Sequence, residues 1–412
     1  MHLGPMVHGG LCLARDEAGA PVMVEGGIPG EDVEVALRFR KGKVQFAEMV
    51  RALAPSPHRV EPPCPYVPDC GGCQLQHVEY AHQLTLKREV VLDALRRQRV
   101  PVPGRVDVIG MANPWRYRRR GEFHVIAAKG DQRQPGLGFN RARSWRPIAV
   151  DDCLIHDSTI TGALPTLRRL AARGTSELAT VHVTAGEAGR ELLVGAKPRR
   201  ALPAQAIDDV ARDAGGIRLS TDSTSLNWRG HTYRVSPDTF IQVNWEQMDA
   251  LYTRVLHGLG AYRGLRVVDA YAGVGVLAVH VAEEAREVVC IESNRATARY
   301  GVLNARVNDV AGRVRYALGA VEERLPAIAA EGHVDRLILD PPRAGCGGRV
   351  TAWMALAGPE RVVYVSCDPA TLARDLHVLV ASGPYAVEEL ALVDMFPQTY
   401  HVECVVTLRR TA

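Results

Sequence analysis

From residue 239 onward, apolar runs of strand length alternate with segments of helical periodicity, and this alternation leaves few architectures open. The run 265–270 precedes a helical stretch at 276–284, 287–291 precedes 294–308, 334–339 follows, and 361–365 precedes 370–382. Chains of this pattern build a doubly wound, mostly parallel sheet, the Rossmann-like α/β class. Two more apolar runs, 387–393 and 402–408, are expected as strands that close one edge.

The first 238 residues read differently. Residues 1–57 hold short β-rich runs at 33–38 and 44–47, with turns at Gly26-Gly27 and Pro29-Gly30, the pattern of a small OB-like barrel. Arg38, Arg40, Lys41 and Lys43 cluster on one hairpin, which suits either a track for a phosphate backbone or a solvated strand edge. Ala54-Pro55-Ser56-Pro57 and Pro62-Pro63 then break the chain, and a cysteine-bearing loop leads into a helix expected over 83–99. Residues 106–238 mix alternating strands, at 181–184 and 191–194, with a helix near 204–214, an α+β pattern. The expected domains are therefore 1–57, 58–238 and 239–412.

Composition narrows the setting. No apolar run approaches the roughly 18 residues that a membrane span needs, and no basic-then-apolar leader is legible after Met1, so a cytoplasmic protein without a membrane partner is expected. Nine cysteines in such a chain point to reduced thiols, metal ligands or a nucleophile rather than to a disulfide framework. A net charge of +4 permits a nucleic-acid partner without requiring one.

Four motifs carry chemistry. Cys64, Cys70 and Cys73 share one turn-rich loop with Gly71 and Gly72, and Cys153 is a candidate fourth ligand; four thiolates suit zinc or an iron–sulfur cluster equally. Asp269 to Ala278 forms a glycine loop between strand and helix, where Gly273 and Gly275 permit close approach to a nucleotide-like ligand and Glu292 ends the next strand as a ribose acceptor. That spacing also satisfies a dinucleotide fingerprint, so a nicotinamide dehydrogenase is a competing reading. Asp340-Pro341-Pro342-Arg343 ends another strand as a stiff platform for a flat base. Cys367, in Ser366-Cys367-Asp368-Pro369, and Glu403 complete the set, and their order suggests covalent chemistry on a pyrimidine ring.

Together these segments, with Phe240-Ile241-Gln242-Val243-Asn244 and His401-Val402-Glu403, closely resemble the S-adenosylmethionine-dependent RNA uracil-5-methyltransferases, in particular the branch that carries a 4Fe-4S cluster and acts on 23S rRNA. The resemblance spans nearly the whole chain. It implies a TRAM-type N-terminal barrel, a central cluster-bearing domain, and a C-terminal methyltransferase domain on which the helical segment of about 76–107 packs. It also implies a cluster held by Cys64, Cys70, Cys73 and Cys153, a cofactor held by Gln242, Tyr271, Gly273, Glu292 and Asp340, Cys367 as nucleophile and Glu403 as general base. One departure is Val276, where the family is often polar.

Carbon 5 of uracil is a poor nucleophile. A thiolate added to carbon 6 turns carbon 5 into an enolate that accepts a methyl group, after which a base removes the carbon-5 proton and the adduct collapses. The Cys367 thiol is expected to be activated by its helix N-terminus or a neighbouring proton acceptor. The target uridine must leave its stack, so Phe240 is a candidate stacking platform. Arg116, Arg118, Arg119 and Arg120, interleaved with Trp115 and Tyr117, suit either RNA contact or an exposed strand face. A T-loop uridine of tRNA is the alternative substrate, a noncatalytic RNA-binding iron–sulfur protein the alternative class, and a monomer the expected state.

Overall fold

The computed structural model describes residues 1–128, 134–186, 191–211 and 218–411. The first unit is a five-stranded sheet of β1 (Met6–Val7), β2 (Leu11–Arg15), β3 (Pro21–Glu25), β4 (Asp32–Lys41) and β5 (Val44–Ala54), in the order β1-β2-β3-β5-β4. Alternate residues of β2 and β3, among them Cys12, Ala14, Val22 and Val24, point inward, as a period of two requires. The N-terminal residues run beside the start of β4: the Leu3 amide donates to Glu31 O over 2.9 Å and the Val33 amide to Met1 O over 2.8 Å. These bonds tie the chain start to the β4 edge, so that edge is not free along that stretch.

Helix α1 (Tyr80–Arg97) follows the cysteine loop and is buried on two sides. Leu86 joins the core of the first sheet, whereas Val91 and Leu95 pack with Leu372, Ala373 and Leu376 of the C-terminal domain. Beyond α1 lies β6 (Val106–Ile109), then a second sheet of β7 (Arg120–Ile126), β8 (Gly136–Asn140), β9 (Pro147–Ala149), β10 (Thr180–Ala185), β11 (Glu191–Lys197) and β12 (Arg218–Ser220), ordered β12-β11-β10-β7-β8-β9. Helices α2 (Ser158–Gly162), α3 (Leu164–Ala172) and α4 (Ala204–Ala211) accompany it. The last three residues of the helix expected over 204–214 lie outside the described residues.

A hairpin of β13 (Thr224–Trp228) and β14 (His231–Val235) precedes α5 (Trp245–Leu259), and its buried Leu226, Trp228, Tyr233 and Val235 pack with Val276 and Leu277. The hairpin thus shares one apolar cluster with α5 and α6. Val276 itself belongs to that cluster, and its carbonyl accepts the Tyr233 hydroxyl at 3.2 Å.

The remaining chain alternates as expected: β15 (Arg266–Ala270), α6 (Val276–Val281), β16 (Glu287–Glu292), α7 (Arg295–Val307), β17 (Val314–Leu318), α8 (Val321–Glu331), β18 (Arg336–Leu339), α9 (Gly347–Ala357), β19 (Arg361–Ser366), α10 (Pro369–Leu376), β20 (Tyr385–Val393) and β21 (Glu403–Arg410). The sheet order is β17-β16-β15-β18-β19-β21-β20-β6, parallel except for β21, which runs antiparallel to both neighbours. One expectation needs correction. The last two strands do not close the edge, because β6, from far upstream, pairs in parallel with β20 through Val106↔Leu390 to Ile109↔Val393. Among the described residues no helix is long and apolar enough to cross a membrane.

Candidate active site

Strand order reverses between β15 and β18, and in an open α/β sheet the crevice outside the carboxyl ends at such a point receives the ligand. The glycine loop lies there. Gly273 and Gly275 take positive φ of 57° and 80°, and Tyr271, a non-glycine residue, is held at 67°. Glu292, ending β16, accepts the Gly273 amide at 3.1 Å and the Asn294 amide at 2.7 Å, which fixes its carboxylate against the loop while lone pairs remain on both oxygens. Gln242 is buried in the connection to α5, and Phe240, two residues earlier, is 63% exposed.

Acidic groups converge on this crevice. Asp269 and Asp340 end β15 and β18, and burial raises both carboxyls, Asp269 to about 8 with help from Asp340 and Glu292, and Asp340 to about 7. Asp269 was not among the residues expected to act. Its only signal in the sequence is an acidic side chain just ahead of the glycine loop.

Cys367 and Glu403 lie at the ends of neighbouring strands. In the antiparallel ladder of β19 and β21 the last partners are Ser366 and Cys404, so Cys367 follows β19 at the end where Glu403 begins β21, and the Glu403 carboxyl acts electrostatically on the Cys367 thiol. Burial and then Asp340 raise the Glu403 carboxyl well above its ordinary range, against Arg343. Burial and then Glu403 push the Cys367 thiol up to about 11, again opposed by Arg343. Burial and two carboxyls keep the thiol raised in the free protein although it lies just before α10, with Glu403 as the neighbouring proton acceptor.

Arg343 stands at the rim, with Nη2 2.9 Å from a ring nitrogen of His401. The first sheet also reaches this rim. His8, in the turn after β1, lies 3.5 Å from Asp368 and edge-on to Tyr400, a neighbour no local sequence signal announces.

The run Trp115 to Arg120 has a different environment from the one expected of an RNA-facing strand. Arg116 forms a two-pronged pair with Asp152 and donates to Cys153 O; Arg119 lies over the Trp245 ring; Arg120 donates to Thr239 O and Pro237 O; Arg118 donates to Arg120 O. Tyr117 is buried with its hydroxyl on Pro397 O. Arg116 and Arg118 thus bond within the 58–238 region, whereas Arg119 and Arg120 reach Trp245 and Thr239 beyond it.

Cys64, Cys70, Cys73 and Cys153 line one cavity, together with His156, whose Nδ1 is 3.1 Å from Cys153 Sγ. Burial, followed by the neighbouring thiols, raises Cys73 to about 12. Among the described residues no group of three or more His, Cys, Asp or Glu side chains is placed to hold a single metal ion. Tetrahedral zinc would draw its sulfurs to within roughly 3.8 Å of one another.

The sheet, its reversal point and the loop beside it define a Rossmann-like methyltransferase. The same fold spans 99% of this chain and 99% of Pyrococcus abyssi tRNA (uracil-54, C5)-methyltransferase, solved in complex with S-adenosyl-L-homocysteine, at a TM-score of 0.75 and 22% identity. Residues 219–411 match the family model described as tRNA (Uracil-5-)-methyltransferase. RNA methyltransferases of Gloeobacter violaceus and Streptomyces coelicolor are each 34% identical, over 98% and 100% of this chain and 94% and 93% of their own. The chain belongs to the RNA uracil-5-methyltransferase family and is an enzyme. The dehydrogenase and noncatalytic readings fall with that membership.

Proposed function

We propose that this enzyme transfers a methyl group from S-adenosylmethionine to carbon 5 of a uridine in RNA through a covalent adduct on Cys367. The observation that carries the reading is the placement of Cys367, directly after β19, near Glu403, the first residue of the neighbouring β21, with Asp340 close enough to raise both groups. Gln242, Tyr271, Gly273, Glu292 and Asp340 hold the cofactor in this reading. A crevice of buried carboxyls suits a sulfonium cation, whose charge offsets their crowding.

The Cys367 thiol gives its proton to solvent, and the thiolate Sγ bonds to carbon 6. The electron pair of the 5,6 double bond passes to carbon 5, which takes the methyl group as the sulfonium leaves as a neutral thioether. Glu403 accepts the carbon-5 proton, the 5,6 double bond re-forms, and Sγ departs as the thiolate. Cys367 and Glu403 are both raised in the free protein, and the positive charge of the bound sulfonium favours their ionised forms. Phe240, exposed beside buried Gln242, supplies the stacking surface for the flipped base.

The same reading places a 4Fe-4S cluster on Cys64, Cys70, Cys73 and Cys153. Four thiols lining one cavity supply the donor set that such a cluster takes, and the family resemblance, not the geometry, favours it over zinc. On that ground 23S rRNA is the favoured substrate. The family description and the Pyrococcus fold favour tRNA as the second reading.

Methylation of rRNA and tRNA transcripts with tritiated cofactor tests both. Cys367→Ala is expected to abolish adduct and product, whereas Glu403→Gln is expected to trap a methylated protein–RNA adduct on denaturing gels. Normal turnover by Cys367→Ala would overturn the mechanism.

A further inference from the structure

Nine residues, 394–402, join β20 to β21 and deliver Glu403 to the site. They form neither helix nor strand, yet Asp394, Met395, Gln398 and Thr399 are all at most 3% exposed. Buried irregular backbone must find its hydrogen-bond partners outside itself, and here five consecutive carbonyls do so. Asp394 O accepts from Gln247 Nε2 at 3.3 Å, Met395 O from Asn244 Nδ2 at 3.1 Å, and Phe396 O from Lys87 Nζ at 3.1 Å. Pro397 O accepts from the Tyr117 hydroxyl at 2.9 Å, and Gln398 O from the amides of Gln74 and Leu75 at 3.1 and 3.0 Å.

Gln398 is the centre of this array. It sits at φ 69°, its amide donates to Gln83 Oε1 at 3.1 Å, and its side-chain oxygen accepts from Gln83 Nε2 at 2.9 Å. Gln83 Nε2 also donates to Leu75 O and Val78 O. Cys73 is the residue immediately before Gln74. The cysteine loop, α1, Tyr117 and the start of α5 together form the wall against which the connection is shaped, whereas Cys367 follows β19, held between β18 and β21 within the sheet.

We propose that Gln83 and Tyr117 are positioning residues for Glu403, and that the segment running from the cysteine loop through α1, with Tyr117 beside it, is the frame that aims this carboxylate at carbon 5. The inference rests on the reading of Glu403 as the base that resolves the adduct. Although α1 also packs on α10, the Gln83 and Tyr117 hydrogen bonds go to the connection before β21, so removing them separates two steps that an intact enzyme couples: the methyl group still transfers, and loss of the carbon-5 proton slows.

The test uses full-length Gln83→Leu and Tyr117→Phe with RNA carrying tritium at uracil carbon 5, following methyl transfer and tritium release in single turnovers. Methyl transfer is expected to stay near the wild-type rate, while tritium release falls about tenfold and the methylated adduct accumulates. Equal loss of both steps, or release at the wild-type rate, overturns the proposal. Should Gln83→Leu fail to fold, Tyr117→Phe, which loses a single hydroxyl, decides alone. Glu403→Gln in parallel separates the levels: an adduct there and none in the frame variants sinks only the frame, whereas none in Glu403→Gln sinks the base assignment and the frame with it.

Discussion

The Tyr316 hydroxyl donates to the carbonyl oxygen of Gly273 over 3.2 Å, so an edge strand of the sheet props the cofactor loop from beneath. Its ring also explains two glycines: a Cβ on Gly275 would lie 2.5 Å from the Tyr316 oxygen, and one on Gly301 would collide with the ring itself. Tyr316→Phe keeps the packing and frees the loop. Loss of one such bond is worth about 0.5–1.5 kcal/mol, and the expected result is a several-fold weaker affinity for S-adenosylmethionine by calorimetry, with RNA affinity unchanged. Equal cofactor affinity in wild type and variant would contradict the role.

The crowded carboxyls make cofactor binding pH-dependent. In the free protein Asp340 and Asp269 titrate at about 7 and about 8, so both are partly protonated near neutrality. A sulfonium favours their ionised forms. Affinity is therefore expected to rise with pH through this window and to level off above it, with protons released on binding. Calorimetry in two buffers of different ionisation enthalpy measures that release, and proton uptake would give the wrong sign.

Lys87 and Asp394 form an ion pair at 2.6 Å with side chains 3% and 1% exposed. Tyr80 adds its hydroxyl to the second carboxylate oxygen at 2.9 Å. Removing one partner leaves an uncompensated buried charge, so Lys87→Met is expected to cost about 3–5 kcal/mol. The double variant Lys87→Met with Asp394→Leu is expected to recover part of that loss in denaturant unfolding. No recovery would show that the pair is not the unit that fails.

Phe240→Ala probes the stacking surface. Base–aromatic stacking contributes about 1–3 kcal/mol per base, so RNA affinity is expected to fall at least several-fold at constant salt, with cofactor affinity and melting temperature unchanged. Unaltered RNA binding would remove Phe240 from the interface.

For the cysteine cavity, anaerobic reconstitution with iron and sulfide is expected to load about four irons per chain and give broad visible absorption if the four thiols hold a cubane. Cys153→Ser is expected to lose much of that iron. Stoichiometric zinc in place of iron would reverse the assignment.

Local pattern was enough to determine the doubly wound sheet and the glycine loop, because strand and helix periods and glycine turns are properties of neighbouring residues, whereas the roles of Cys367 and Glu403 were legible only through resemblance to a family. Partner choice across long separations was legible in neither. The edge position of β6 follows from a ladder with residues nearly three hundred positions away, and the 224–235 hairpin joins the catalytic core because its apolar face finds Val276 and Leu277 there. The arginine run illustrates the same limit: its composition matches an RNA-binding strand, but tertiary contacts supply Asp152, Trp245 and backbone carbonyls as partners. Asp269 and the 394–402 connection acquire their meaning only from burial. Whether a polar group acts, titrates or holds a neighbour in place depends on the water removed from around it, and that is decided when distant segments pack.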